Sequence, residues 1–187
     1  GGRTCGLRRR GAERPAHASG SVVVPTAEGT RPLLVEVQAL VAPALYGGAR
    51  RVVSGLDSNR LAILLAVIDR RAGIHVLDQD VFASIAGGAR VEERALDLGL
   101  AIAVVSSFRN VPVPADFIVL GEVGLAGEVR AVPRPQIRLS EARKLGFKRA
   151  ILPALTVETL LPHEKGGLEL FGVKSVEEAI DLALGRH

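Results

Sequence analysis

The stretch RALDLGLAIAVVSS over 94–107 has the spacing of a helix and ends in two hydroxyls, Ser106 and Ser107. A serine in the first turn of such a helix could attack a carbonyl carbon. At the far end a hydroxyl more simply bonds back to a backbone carbonyl, and that is the reading for this pair. The first turn holds Ala95, which can attack nothing. Asp78 and Asp80 stand close enough to share a cation, yet a turn that caps the following strand accounts for them better. His75 follows a helix-ending glycine and reads as a surface or cap residue. The four histidines (His17, His75, His163, His187) and the single Cys5 show no metal-ligand spacing, so no metal site is expected. No G-x-x-x-x-G-K-[ST] stretch is present to cradle the phosphates of ATP.

Binding chemistry is left to the arginines. Arg50 and Arg51 open a strand, and Arg60, Arg70 and Arg71 stand beside the apolar stripe of one helix. Arg90 leads into a second helix, whose ends carry Arg94 and Arg109. A planar guanidinium donates two bonds at once to a phosphate. Aromatic residues make up only 3% of the chain, so contact with a nucleic-acid backbone is expected rather than base stacking. The plainer alternative is solvated charge, several of these arginines pairing with Asp57, Asp69, Glu92 or Glu93.

Elements must position these groups, and 187 residues suffice for one domain with a real core. Hydrophobic residues form 48% of the chain, which excludes a disordered protein and, with few aromatics, demands a core of Leu, Val, Ile and Ala. The net charge of +4 permits nucleic-acid or acidic partners without requiring them. A lone cysteine cannot close an internal disulfide, and the chain shows neither an apolar run of membrane-spanning length nor a signal-peptide pattern. These features point to the cytoplasm. The absence of methionine suggests a piece of a longer protein.

Residues 1–20, rich in Gly, Arg, Ala and Pro, read as a flexible arm, a linker or an expression remnant; the ordered domain is expected over 21–187. SVVVP at 21–25 is a short strand. From 33 to 41 the residues Leu33, Val35, Val37, Ala39 and Val41 face one way and Glu36 and Gln38 the other, which predicts a strand with one buried face. The segment 49–56 is expected to be its hairpin partner. Asp57 or Ser58 caps a helix with Leu61, Leu64, Leu65 and Ile68 on one stripe, ended by Gly73. A strand at 81–85 precedes the second helix, with Leu98, Ala101, Ile102, Val105 and Phe108 on its stripe. Strands at 116–122 and 128–132, a helix over 136–145, a strand at 150–152, a short helix near 157–161, a strand at 168–173 and a helix from 176 complete the chain. Alternating strands and helices with hairpins mixed in predict an α+β or mixed α/β fold, helices laid on a mixed sheet.

Two segments taken together, RALDLGLAIAVVSSF and PADFIVLGEVGLAGEVRAVPRPQIRLSEARKLGFKRAILP, are similar to the proteolytic domain of Lon proteases. That family starts a helix with Pro-Ser-Ala-Gly, where the serine is the nucleophile, and carries a base lysine on a later helix. The resemblance puts the serine's place at Ala95 and the lysine's at Gln136. A methyl group cannot form an acyl bond, and an amide cannot take a proton near neutral pH. A shift by one residue would not help, since 92–97 (EERALD) holds no Ser, Thr or Cys. Loss of the nucleophile alone costs a serine protease on the order of a million-fold in turnover. Catalysis is therefore not expected of this chain, the other possibility being a Lon-like peptidase with an unrecognised nucleophile. Asp97, where those proteases have glycine, either caps the helix dipole or makes a contact of its own.

LLVEVQALV, RRVVSGLDSNRLAILLAVIDRRAG, DQDVFASIAGGARVEE and GEVGLAGEVRAVP resemble, in order, the C-terminal Lon-like domain of the bacterial RadA (Sms) family over about residues 20–185. The resemblance implies a role in DNA repair and recombination within a DNA-dependent ATPase. It implies a homo-oligomer, a hexameric ring, that helps bind single- or double-stranded DNA and meets the recombinase and recombination intermediates. ATP, Mg and Zn would belong to a preceding part of the family's chain, with no cofactor in this one. A purely structural assembly module is the remaining reading.

Overall fold

The computed structural model describes residues 18–29 and 31–186. Cys5, His17, His187 and most of the expected 1–20 arm lie outside the described residues. The chain runs β1 (Ser21–Thr26), β2 (Leu33–Pro43), β3 (Arg51–Ser54), α1 (Ser58–Ala72), β4 (Gln79–Ile85), α2 (Asp97–Arg109), β5 (Phe117–Val119), β6 (Glu122–Val123), β7 (Val129–Arg130), α3 (Pro135–Lys144), β8 (Arg149–Pro153), α4 (Ala154–Thr159), β9 (Glu169–Val173) and α5 (Val176–Leu184). Seven strands form one sheet in the order β3-β4-β2-β1-β5-β8-β9, and β6 and β7 form a small antiparallel ribbon. Every pairing in the large sheet is parallel except the two made by β2. The fold is mixed α/β, as the alternation of elements predicts.

The pleat divides the strand side chains between two cores. Val22 and Val24 of β1, Phe117 and Val119 of β5, and Ile151 of β8 join the core under α1, α2 and α5. Their neighbours Val23, Ile118, Ala150 and Leu152 point to the opposite face and join Leu139 and Ala142 of α3. Parallel strands covered on both faces read as continuous apolar runs, and VVV in β1 and AIL in β8 are such runs.

Helix α2 is the axis of the larger core. The sequence predicts one apolar stripe; instead all ten residues from Asp97 to Ser106 are buried, while Phe108 is exposed. Gly99 allows this depth, because a Cβ there would lie 2.4 Å from Val24 Cγ2 on β1. Leu98, Leu100 and Ile102 are fully buried, and each such side chain is worth roughly 1.5–3 kcal/mol relative to exposure.

Several local expectations need correction. Segment 49–56 is not the hairpin partner of β2: β3 lies parallel to β4, with Arg51 opposite Val81, and β2 pairs with β1 and β4. A helix, α1, intervenes between β3 and β4, and a strand-helix-strand unit joins parallel strands. Strand β2 is buried on both faces from Leu34 to Val37, because Leu34 packs with Leu139 and Ala142 of α3 while Val35 and Val37 join the larger core. The expected strand at 116–122 breaks after Val119, and residues 122–123 leave the large sheet for the ribbon. The expected 128–132 strand is only the two residues of β7. The short helix sits at Ala154–Thr159, earlier than 157–161. No helix among the described residues is long and apolar enough to cross a membrane.

Candidate functional site

A 3-10 turn, Arg94–Leu96, leads straight into α2 and carries Ala95. Two backbone bonds fix this turn against the break in the 116–123 segment. Gly121 N donates to Ala95 O at 3.2 Å, and Leu98 N donates to Gly121 O at 3.0 Å. Gly121 is required by space, since a Cβ there would stand 2.9 Å from Val129 Cγ1 and 3.2 Å from Leu98 Cδ2. The Ala95 methyl is 2% exposed and packs in the core that contains Leu139 and Ala142 of α3. Gln136 lies in the first turn of α3, exposed, and its Nε2 donates to Glu164 Oε2 at 3.1 Å. The Glu164 carboxylate also accepts Leu161 N at 2.8 Å, and these bonds, the backbone one foremost, hold it below the usual carboxylate range.

Around this frame lie charges that the sequence did not reveal as partners. Asp97, 2% exposed, accepts two bonds from the Arg60 guanidinium and a third from Val123 N at 3.1 Å. It therefore ties α1, α2 and the ribbon together and is no simple dipole cap. Burial pushes its carboxyl above the usual range, against the pull of Arg60 and the Val123 amide. Arg138 of α3, 1% exposed, donates to Pro133 O, Pro25 O and both Glu93 oxygens. Glu93 Oε1 also accepts Ala27 N at 3.2 Å, so the pair is anchored on the β1–β2 connection. Only position could have signalled Arg138: it directly precedes the buried Leu139 of α3.

Ser106 and Ser107 do not bond back along their helix. Ser106 Oγ donates forward to Val111 O and accepts Gly20 N at 2.8 Å, while Ser107 Oγ accepts Val41 N at 2.9 Å. Both stitch the end of α2 to the β1–β2 pair. Asp80 accepts Arg50 N at 2.7 Å and pairs with the Arg50 guanidinium, contacts that hold its carboxyl below the usual range. His75 Nδ1 lies 3.2 Å from Asp69 on the surface. Among the described residues no group of three or more His, Cys, Asp or Glu could hold a metal ion.

The eight candidate arginines do not form one patch. Arg60 and the pair Arg70–Arg71 lie at opposite ends of α1, and Arg94 and Arg109 at opposite ends of α2. Arg60 is engaged by Asp97 with its side chain 16% exposed, so it is withdrawn from the candidate set. Arg51 donates to Leu77 O and Gln79 O, holding the turn before β4. Arg50 pairs with Asp80 and lies 5.7 Å over the Phe82 ring. Arg90 pairs with Glu92, Arg94 with Glu122, and Arg71 donates to Leu125 O. Arg109 reaches Gly185 O at 3.5 Å. Arg70 is exposed without such a contact among the described residues. The expected partners Asp57, Asp69 and Glu93 serve other groups: Asp57 caps α1, Asp69 meets His75, and Glu93 meets Arg138.

Residues 60–155 match the family model described as subunit ChlI of Mg-chelatase. The chain is 52% identical over 164 residues to the DNA repair protein RadA of Escherichia coli K12, covering 88% of this chain and 35% of that protein. It is 54% identical over 162 residues to the RadA of Pseudomonas aeruginosa, covering 87% and 35%. With the RadA of Bacillus subtilis it shares 45% identity over 174 residues, covering 92% and 37%. The chain thus spans about a third of the length of the curated relatives it matches.

Proposed function

The chain belongs to the ChlI family of Lon-like domains, in the form carried by bacterial RadA proteins, and from that premise we propose that it is a non-proteolytic domain of a DNA repair and recombination ATPase. It serves as an oligomerisation scaffold, a hexameric ring, and contributes sequence-independent binding to DNA in the cytoplasm. ATP, Mg and Zn chemistry and contact with the recombinase belong to the longer protein.

The observation that carries this reading is the pair Ala95 and Gln136. The first offers only a buried methyl, and the second an amide already donating to Glu164. A packing role for this segment is supported by the clamp of the 94–96 turn to Gly121 and by α2 beyond it, which fills the core. Arg50, Arg70, Arg90 and Arg94 remain exposed and can reach a phosphate beside or instead of their present partners. A ring multiplies weak contacts, because subunits held together present them at high effective concentration.

Fluorescence anisotropy with labelled single- and double-stranded DNA, at several salt concentrations, tests the DNA contact. Log affinity should fall by about 0.7–0.9 per neutralised phosphate per log unit of salt. Light scattering on the same samples reports the assembly. Negligible binding by an assembled chain leaves a purely structural module.

A further inference from the structure

A groove of about 1100 Å³ lies between α3 and the segment 162–167. Gln136, Ser140, Arg143 and Lys144 supply the α3 wall, at spacings that bring them to one side of the helix. The opposite wall carries Pro162, His163 and Glu164 and then bare backbone at Gly166 and Gly167. Gly166 and Gly167 both take left-handed backbone conformations, with φ of 71° and 73°. A Cβ on Gly166 would meet the Leu139 backbone at 3.1 Å, and one on Gly167 would meet Arg143 Nε at 2.8 Å. Two successive glycines are what this close approach requires. Their amides donate to no acceptor among the described residues.

The charges at this groove differ from those the sequence singled out. Among the described residues, most arginines are engaged by a carboxylate or a carbonyl. The cations whose side chains make no hydrogen bond or ion pair among the described residues include Arg143 and Lys144 in the groove wall, and Arg31 and Lys165 next to its lining residues Pro32, Glu164 and Gly166. The lining carboxylates are Glu141 and Glu164, and the second is already held by Gln136 and Leu161 N. A concave wall with unengaged cations and unengaged amides suits the oxygens of a phosphodiester backbone.

We propose that this groove is the surface on which the domain holds the phosphate backbone of a nucleic-acid strand, with Arg143 and Lys144 as its principal contacts. The proposal rests on the reading that the domain touches DNA, and places the principal contact in a groove that none of the eight arginines chosen from sequence lines.

The test compares the unaltered 187-residue chain with Arg143→Ala/Lys144→Ala and with Lys174→Ala/Arg186→Ala, a variant of equal charge loss outside the groove. Thermal melts and light scattering confirm that fold and assembly match in all three. With labelled single- and double-stranded oligonucleotides, the groove variant should bind roughly tenfold or more weakly, and its salt slope should drop by about 1.4–1.8, two phosphates' worth. The control should keep its affinity within about twofold. Equal losses in the two variants, or an unchanged groove variant, overturn the groove while leaving the DNA reading standing. No binding by the unaltered chain overturns both.

Discussion

Asp97 and Arg60 join the first turn of α2 to α1. Both are poorly exposed, and removal of one partner leaves a charge without compensation in a low-dielectric setting. Asp97→Ala should lower stability by about 3 kcal/mol in urea unfolding with an unchanged m-value. A loss under about 1 kcal/mol would show that Arg60 finds water instead. The Asp116–Arg149 pair titrates in the opposite sense. The Arg149 guanidinium, also stacked 4.1 Å from the Phe117 ring, holds the Asp116 carboxyl below its usual range. A carboxyl with a depressed folded-state pKa adds stability above its unfolded pKa of about 3.9, and that stability is lost as pH falls through the folded value. Asp116→Asn should therefore melt lower than the parent at pH 7, with the gap closing below about pH 4. A gap independent of pH would contradict the assignment. At this scale the sequence shows Ala95 and Gln136 directly, because their chemistry is in their side-chain types. It cannot show that Asp97 meets Arg60 or that Glu93 meets Arg138, since those partners lie 37 and 45 residues away and only the fold unites them.

Among elements, α2 and β1 approach each other closely at Gly99. A methyl there cannot avoid Val24 Cγ2 without a shift of helix or strand. Gly99→Ala should cost about 1–3 kcal/mol, and pairing it with Val24→Ala should recover part of the loss. Strict additivity of the two changes would mean that they do not touch. Helix and strand positions are largely legible, because the apolar period of α1 and the continuous apolar run of β1 are local signals. Strand pairing is not. The alternation in 33–41 reports one solvated face, but β2 is flanked on both edges and Glu36 is buried, accepting Ser21 Oγ at 2.7 Å. Likewise, nothing in the apolar run 116–122 announces that Gly121 turns the chain out of the sheet to clamp the 94–96 turn.

At the scale of the whole molecule, the two places that the Lon resemblance gives to a dyad hold a buried methyl, Ala95, and an exposed amide, Gln136. Around them stand two cores, scattered exposed arginines and a groove on α3 where Arg143 and Lys144 face no ion-pair partner among the described residues. A dyad is more than one residue, so Ala95→Ser alone should yield no peptidase activity: Gln136 supplies no base, and the new hydroxyl would sit in the buried cluster with Leu139. The most direct measurement is incubation of the chain with unfolded casein and with a serine-directed phosphonate, both read by mass spectrometry. The account predicts intact casein and an unmodified chain. A covalent adduct accompanied by casein cleavage would contradict it.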